Sequence, residues 1–447
     1  MNHSELAQDL LDRARVKGAS AGDVVIVDGS GFDVQVRLGK IDQLSSAREK
    51  RLGLRLFVGQ RMAICSTADF SSESLQGLVD DCYALARATA EDPYSGLPAE
   101  PPPAAPPVEL GLYDPALAEL SSEAKIDLAL RAEGAALAAD ARIQNSEGGS
   151  LSQGERSVVY ASSAGFTGRY ASSSISLSVS PLAHENGSMQ RDYWYSVSRR
   201  LAGLEPPEAI GRTAAARTLR RLGARKIRTC RVPVVFDPET AGDLLGTLGA
   251  AVSGYAIYKE ASFLIGKLGA TIAAAGVTVI DDGTLPGRLG SRPFDGEGLT
   301  TRRTPVVENG VLRSYLLDSY AGRKLDLAST GNAARSVGDA PGVAPTNLYL
   351  QAGTTAPEAI VQSVRQGLYV TELIGFGVNL VTGDYSRGAA GVWIENGELT
   401  HAVHEITIAG NLNEMLRNID AIGSDLVFRG SIAAPTIRIA EMTIAGE

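Results

Sequence analysis

Residues 174–180 read SISLSVS, and this short stretch carries the clearest structural signal in the chain. Ile175, Leu177 and Val179 alternate with serines. Because successive side chains of a β-strand point to opposite faces, this period of two predicts a strand with one apolar and one polar face. Such a strand is typical of an antiparallel sheet that buries one side and leaves the other open. The stretch therefore predicts an antiparallel sheet in the middle of the chain.

The first 90 residues also contain short stretches with a β-strand pattern, and these lie between two predicted helices. A helical stripe with Ser4 as its expected cap and Gly18 as its expected end comes first, and a second helix around residues 72–90 closes the unit. Helix, strands and helix in that order predict an α+β fold with an antiparallel sheet. The four predicted strands between the helices are Asp23–Val27, Phe32–Leu38, Leu54–Val58 and Met62–Cys65.

Proline density marks a boundary after this unit. Seven of the 20 prolines fall between Pro93 and Pro107, where they exclude a regular helix or a central strand. We therefore divide the 447 residues into four parts. They are a small N-terminal α+β domain (1–92), a Pro-rich linker (93–117), a strand-rich middle α+β region (118–228) and a larger, glycine-rich, mostly-β C-terminal domain (229–447).

Two Asn-Gly pairs predict hairpins in the C-terminal domain. Asn309-Gly310 and Asn396-Gly397 each lie between apolar runs, and both residue types adopt positive φ at low cost, as a type I′ turn requires. The domain is also expected to begin with a strand at Val232–Phe236 and a helix that starts at Asp237-Pro238. These signals are the basis for the mostly-β assignment.

Bulk composition indicates an ordinary globular protein in the cytoplasm. Net charge is -9, hydrophobic residues make up 44%, and the longest uncharged apolar-leaning run, Leu244–Tyr258, is too short for a membrane span. The N-terminal residues lack the basic segment and apolar core of a secretory signal. Three scattered cysteines, Cys65, Cys82 and Cys230, suit reduced core residues better than a disulfide framework or a zinc knuckle.

Local chemical motifs are weak. Gly18-Ala19-Ser20-Ala21-Gly22 has the spacing of a nucleophile elbow, but a helix precedes it and a strand follows it, which is the reverse of the required order. His401, His404 and Glu405 lie in an expected strand, where residues three apart face opposite ways, so a zinc site with three protein ligands is not expected there. The residues alone therefore predict no catalytic group and no metal ligand.

One basic stretch runs from Arg212 to Arg228 and contains seven Arg or Lys residues. No aromatic residues interleave with them and the whole chain is acidic, so we expect no nucleic-acid partner. A solvated helix face or a subunit contact is the favoured interpretation.

A series of sequence blocks resembles the TldD/PmbA family, and within it the PmbA (TldE) branch. The blocks appear in the order typical of that branch and span essentially the whole chain. They are SFLIGKLG (262–269), TVIDD (278–282), PFDGEG (293–298), STGNAAR (329–335), GDYSRG (383–388), EITIAGNL (405–412) and APTI (434–437), together with the two Asn-Gly hairpins.

The resemblance implies a subunit without its own zinc. TldD-type subunits carry an HExxxH helix ahead of the GKLG-like block and a late cysteine, which together hold the metal. Here the corresponding positions fall near Leu245, Gly246 and Ala250, whose side chains cannot bind zinc or activate water. The late cysteine is also missing.

The resemblance then predicts a non-catalytic partner for a TldD-type subunit, which would hold the zinc. Such a heterodimer is expected to act on unfolded proteins and small peptides, including toxin, antitoxin and peptide-antibiotic precursors. In isolation the chain is expected to form a homodimer if it associates at all. Two alternatives stay open: a stand-alone metallopeptidase, and a gyrase-modulating binding protein without peptidase activity.

Six polar residues of the family-like blocks are candidates for shaping a cleft or contacting peptide. All lie in glycine-rich segments, where turn formation is the competing explanation. The candidates are Asp295, Glu297, Asn332, Arg335, Asp384 and Ser386.

Overall fold

The computed structural model describes residues 2–99 and 109–446. Of the predicted Pro-rich linker, residues 100–108 lie outside the described part, while its ends are described. Within the described part, no helix is long and apolar enough to cross a membrane. The predicted mixture of helices and antiparallel sheets is confirmed.

Helices are short, and most of them begin with a recognisable cap. The first is capped by Asn2 rather than by the expected Ser4, and Asn2 forms a capping box with Glu5. Gly18 ends this helix in the left-handed conformation, as predicted. The described helices are α1 (His3–Lys17), α2 (Ser72–Ala88), α3 (Pro115–Ala118), α4 (Ser122–Leu137), α5 (Pro207–Arg220), α6 (Pro238–Ala251), α7 (Gly254–Tyr258), α8 (Ser319–Leu325), α9 (Pro357–Gln362) and α10 (Leu412–Arg417).

Strands dominate the rest of the described chain. They are β1 (Ala21–Arg37), β2 (Lys40–Val58), β3 (Arg61–Thr67), β4 (Ile143–Ser162), β5 (Thr167–Glu185), β6 (Ser188–Arg191), β7 (Trp194–Ser198), β8 (Cys230–Phe236), β9 (Val279–Asp282), β10 (Arg303–Glu308), β11 (Val311–Leu312), β12 (Ala333–Ala334), β13 (Gly342–Val343), β14 (Leu348–Leu350), β15 (Gln366–Ile374), β16 (Asp384–Glu395), β17 (Glu398–Asn411), β18 (Ile419–Ile422), β19 (Ile432–Ala433) and β20 (Ile437–Ala445).

One antiparallel sheet unites the N-terminal and middle regions. Its order is β3-β2-β1-β4-β5-β6, with β7 paired to β5. Strand β1 pairs with β4 from Asp23 opposite Ser162 to Val36 opposite Gly149, so the sheet is continuous across the predicted boundary. The boundaries of the four parts stay predictions.

The alternation of apolar residues and serines in β5 shows which face of this sheet is buried under helices. Ile175, Leu177 and Val179 are buried against α4 and α5, as the sequence predicts. Strand β1 contributes its even-numbered residues to the same side, where α1 and α2 cover the other half of the sheet. All four helices therefore lie on one face, and the opposite face carries small and polar side chains apart from an apolar patch around Val25, Val158 and Tyr160.

The C-terminal region is built from two larger sheets and the two-stranded sheet β12-β13 around one large core. One has the order β17-β16-β15-β8-β20-β18, and an additional pairing of β17 with β20 closes five of its strands into a ring. The other has the order β11-β10-β9-β14-β19. Both predicted Asn-Gly turns are present, with positive φ at Asn309, Gly310, Asn396 and Gly397.

The C-terminal region packs on the helix-free face of the first sheet. Val25, Val158 and Tyr160 of that face meet Phe294 and Val337 in a small buried cluster. This contact covers only one end of the face. The junction between the two bodies brings four of the six candidate residues together.

Candidate functional site

Asp295 organises the loop that enters this junction. Its Oδ1 accepts hydrogen bonds from the backbone N–H groups of Glu297 and Leu299, both at 2.9 Å. Its Oδ2 accepts from the backbone N–H of Ala333 at 3.0 Å, which joins the loop to the segment that carries Asn332 and Arg335. Asp295 thus fixes the geometry of two family-like blocks at once.

Asp23 of β1 is the centre of a buried ion network. Arg335 Nη1 donates to Asp23 Oδ1 at 2.8 Å, and Arg55 of β2 donates to Oδ2 through Nε at 2.9 Å and also through Nη2. Tyr160 of β4 donates its hydroxyl to Oδ2 at 3.1 Å. The side chains of Asp23 and Arg335 are 0% and 2% exposed. Charges this deeply buried persist in proteins when they are paired and hydrogen-bonded.

Glu297 extends the network into the C-terminal region. Its Oε1 lies 3.8 Å from Nη1 of Arg55, and its Oε2 accepts the backbone N–H of Ser319, the first residue of α8, at 2.8 Å. Positive and negative groups therefore alternate in the order Arg335, Asp23, Arg55 and Glu297. This chain of charges holds β1 and β2 against the C-terminal loops.

The pKa values of the buried carboxyl groups at this site are shifted in opposite directions. Burial disfavours ionisation of Asp23, but the guanidinium groups of Arg55 and Arg335 outweigh it and lower the Asp23 pKa. Burial, followed by the neighbouring charge of Glu297, raises the pKa of Asp295 to about 7. Burial also raises the pKa of Asp318, the cap of α8, to about 6. One junction thus combines a carboxylate whose pKa is lowered with two whose pKa values are raised toward neutrality.

Asn332 belongs to a neighbouring buried cluster rather than to the ion network itself. Its Nδ2 donates to Asp281 Oδ2 at 2.7 Å and to the carbonyl of Ala344 at 3.2 Å, and its Oδ1 accepts from Thr330 Oγ1 at 2.6 Å. Asp281 also accepts from the backbone N–H of Thr346 at 2.7 Å. Every polar atom of the Asn332 side chain is therefore occupied inside the protein.

Asp384 and Ser386 lie elsewhere. They stand at the start of β16, where Asp384 is exposed and accepts hydrogen bonds from Thr382 at 2.6 Å and from Asn411 at 3.1 Å. The structure therefore divides the six candidates into an inner group (Asp295, Glu297, Asn332 and Arg335) and an outer group (Asp384 and Ser386).

The outer group borders a surface with several exposed apolar side chains. The backbone N–H of Phe263 donates to the carbonyl of Leu380 at 2.7 Å, which places the SFLIGKLG block beside the loop that precedes β16. We call this surface the apolar rim. Its exposed members are Ile265 and Leu268 from the first segment and Ile374, Phe376 and Val381 from the second.

A cavity of about 550 Å³ opens beside the inner group. Its floor is formed by β1, β2 and β4 on the helix-free face of the first sheet, and its wall by Arg335, Ser336 and Val337. Of the charged residues around it, sequence analysis identified only Arg335. Asp23, Arg55 and Arg156 were missed because they belong to no family-like block, although a charge inside the apolar runs GDVVIV and LGLRLF is a recognisable signal.

The three domains described for PmbA/TldA metallopeptidases match the chain in order: domain 1 over residues 22–86, the central domain over residues 115–222 and the C-terminal domain over residues 229–446. Metalloprotease PmbA of Escherichia coli O157:H7 is 38% identical over 443 residues, which cover 99% of this chain and 96% of that protein. This chain belongs to the PmbA/TldD family.

Two further relatives are informative: a solved structure with the same fold, and a protein of the TldD branch of the family. A crystal structure from Bacteroides thetaiotaomicron, described as that of a candidate modulator of DNA gyrase, superposes with a TM-score of 0.91 at 30% identity and covers 99% of this chain and 98% of its own. A metalloprotease TldD homolog of Haemophilus influenzae is 28% identical over 320 residues, which cover 68% of this chain and 66% of that protein.

Helix α6 is the element on which a metal-binding motif is expected in a TldD-type subunit. The resemblance predicts that the metal-binding motif of a TldD-type subunit would fall near Leu245, Gly246 and Ala250, and these three residues lie on this helix. Leu245 is buried in the large C-terminal core together with Leu244 and Leu248. This helix therefore uses its inward positions for apolar packing.

The histidines near the C-terminus lie on a strand, as predicted. A bulge in β17 pairs Val403 with Gly391 and Ile406 with Ala389, and Glu405 within it has a positive φ of 53°. His404 Nδ1 lies 3.8 Å from Glu405 Oε1. Across residues 2–99 and 109–446, no cluster of three or more His, Cys, Asp or Glu side chains could hold a metal ion.

The basic stretch is only partly a solvated face, which corrects the sequence-based expectation. Arg217 lies 3.4 Å from Asp192 and beneath the ring of Trp194, and Arg221 lies 2.6 Å from Glu372 of β15. These arginines are mostly buried, and they tie α5 to the C-terminal region. The sequence could not show this because the acidic and aromatic partners are distant along the chain.

Proposed function

We propose that this chain is the non-catalytic, TldE-type subunit of a heterodimeric zinc metallopeptidase in the cytoplasm. A TldD-type partner would hold the zinc, and the pair would cleave unfolded proteins and small peptides. The observation that carries the proposal is the apolar rim beside Asp384 and Ser386, which supplies the kind of surface that a second subunit covers.

The side chains of α6 support a role outside the chemical step. A catalytic zinc site needs three nitrogen, oxygen or sulfur ligands and a group that activates water. Leucine, glycine and alanine supply neither at positions 245, 246 and 250. Since Leu245 is part of the core, a metal site could not form on this helix without loss of packing.

The apolar rim supports association with a related subunit. Phe376 is fully exposed on the loop between β15 and β16, and Ile374 at the end of β15 and Val381 on that loop are more than half exposed. Large apolar side chains of this kind rarely cluster on the surface of a monomer. If a homologous partner carries an equivalent surface, the two chains can associate about a pseudo-two-fold axis. Similarity to a TldD-type protein over 68% of this chain is consistent with such a pairing.

The test is co-expression with a TldD-type protein from the same cell. Peptide hydrolysis should require both chains, and mutation of the zinc ligands in the partner should abolish it. Phe376→Ser should weaken co-purification and hydrolysis together, because it removes the most exposed apolar group of the rim. Val16→Ser is the matched control, since Val16 is 87% exposed on α1, outside the rim.

Two results would defeat the proposal. The first is hydrolysis by the partner alone at the rate of the mixture, and the second is a failure of the two chains to co-purify. Stoichiometric zinc in this chain alone, lost on mutation of His401 or His404, would instead favour a stand-alone metallopeptidase.

A further inference from the structure

The cavity beside the inner group is lined by three arginines, Arg51, Arg156 and Arg335. Its floor consists of the outward-facing residues Val27, Gly29, Gly31 and Ala47, which are small or short. Small side chains leave room between the sheet and the Arg335 wall. The volume of about 550 Å³ is sufficient for the end of a peptide but not for a folded domain.

Arg335 has unused hydrogen-bonding capacity at the wall of this cavity. Its Nη1 is paired with Asp23, but Nε and Nη2 have no hydrogen-bond partner among the described residues. The side chain is 98% buried, so bulk water does not satisfy these donors. Buried N–H groups without acceptors are rare in native proteins and point to a missing partner, such as a ligand.

Arg156 supplies a second positive charge on the floor. It projects from β4 on the same face as Gly29, since the two residues are directly paired. None of the described residues forms an ion pair or a side-chain hydrogen bond with it, and its side chain is exposed to the cavity. An anion in the cavity could therefore reach two guanidinium groups from different elements.

The acidic residues around the cavity do not cancel these charges. Glu49 lies 3.6 Å from Arg51, so this pair is neutral overall. Glu155 is committed to Tyr113 at 3.3 Å and to Gln153 at 3.3 Å, and it projects toward the helix-covered side of the sheet. Arg335 shares the negative charge of Asp23, so Arg156 is the cation of the open side that has no ionic partner among the described residues.

We propose that this cavity binds the carboxylate group of an extended peptide, with Arg335 and Arg156 as donors. Planar guanidinium groups match the geometry of carboxylates and bind them with two hydrogen bonds. The helix-free face continues past the cavity as a groove of about 720 Å³, lined by Ser45, Ser150, Ser152, Ser176 and Ser178. Serine hydroxyls can both donate to and accept from a peptide backbone. The inference rests on the proposed function and names the part of the substrate that this subunit recognises.

The test measures binding of short peptides to the purified chain without any partner. Three fluorescein-labelled pentapeptides of alanine and serine are compared by anisotropy: one with a free C-terminal carboxylate, one amidated, and one amidated with an internal glutamate. The free acid should bind about 10- to 100-fold more tightly than the plain amide, which corresponds to one or two charge-assisted hydrogen bonds.

Arg156→Gln is the diagnostic variant because Arg156 is exposed and outside the ion network, so the fold should tolerate the change. It should remove most of the preference for the acid. Arg169→Gln, an exposed arginine of β5 that does not line the cavity, is the control and should keep the preference. Arg335→Lys should also reduce the preference for the free acid. The urea midpoint of this variant shows whether the junction is intact.

The outcomes separate the sources of the carboxylate. If the amidated peptide with glutamate binds like the free acid, the site accepts a side-chain carboxylate and the proposal stands. If the acid and the plain amide bind equally, or if Arg156→Gln keeps the preference, the proposal is overturned. Because no partner subunit takes part, this result is independent of whether the heterodimer forms.

Discussion

The inner and outer candidate groups come from similar glycine-rich blocks but occupy opposite environments. Asp295, Glu297 and Arg335 are buried between two bodies of the protein, with charged or backbone partners for almost every oxygen. Asp384 is exposed, and its partners are neighbouring turn residues. The difference shows that similarity to a family sequence block does not distinguish residues that stabilise the fold from residues that face a partner. Variants whose effects on stability and on association are measured separately can distinguish the two kinds of residue.

The largest effect is expected from Asp23→Asn. The change removes the negative charge that two buried arginines share, and leaving buried charges without compensation costs about 3–5 kcal/mol. Urea unfolding should show a much lower midpoint for this variant. Glu208→Gln breaks the exposed pair with Arg131 and serves as the control, with a midpoint close to that of the wild type. Similar midpoints for both variants would contradict the central role of Asp23.

Gly298→Ala should have the next largest effect. Gly298 has a φ of 81°, and a Cβ at this position would lie 2.7 Å from Cε1 of Tyr160 and 2.9 Å from Cδ1 of Phe166. Strain and overpacking together should cost about 1–3 kcal/mol. Gly59→Ala is the matched control, since Gly59 also has positive φ (62°) but has nothing within 4 Å of its Cβ position. If both variants lose the same stability, backbone strain alone explains the effect.

The pH dependence of stability distinguishes two buried carboxyl groups of the junction, Asp295 and Asp23. Because the pKa of Asp295 is raised to about 7, its protonated form stabilises the folded state at low pH. That contribution to stability is lost as pH rises from 3.8, the ordinary pKa of an aspartate, through about 7, the pKa of Asp295 in the folded protein. Asp23 has a lowered pKa, so its contribution is present above 3.8 and is lost as pH falls below it.

Asp295→Asn tests this assignment. Relative to the wild type, the variant should gain stability between pH 5 and pH 8, because it cannot lose a proton over that range. Urea midpoints at both pH values provide the measurement. Asp318→Asn should show the same sign over a lower range, since the pKa of Asp318 is raised to about 6. A constant difference between Asp295→Asn and the wild type would show that Asp295 does not titrate there.

The sequence predicted the fold well wherever local periodicity decides it. The alternation around Ile175, the Asn-Gly turns and the helix after Asp237 are all present. The two strands predicted at Asp23–Val27 and Phe32–Leu38 form one continuous strand, β1, because both neighbouring strands pair along the segment between them. Local signals cannot reveal pairing between strands that are distant in the chain.

The candidate site could be predicted only on its C-terminal side. The family-like blocks contain Asp295, Glu297 and Arg335, yet their charge partners Asp23 and Arg55 precede them by more than 200 residues in the chain. A buried charge inside an apolar strand must have a partner, so the sequence indicates that partners exist. Their identity depends on how the two bodies pack, which no spacing rule specifies.

Asp384→Asn should have the smallest effect on stability of all these changes. An exposed carboxylate gains little from its turn contacts with Thr382 and Asn411, and asparagine keeps an acceptor in the same place. The urea midpoint should therefore match that of the wild type within error, whereas Asp384→Asn should weaken co-purification with a TldD-type partner less than Phe376→Ser does. A midpoint shift as large as that of Gly298→Ala would mean that the outer group also supports the fold. In that case both groups would be structural, and the apolar rim alone would have to account for association.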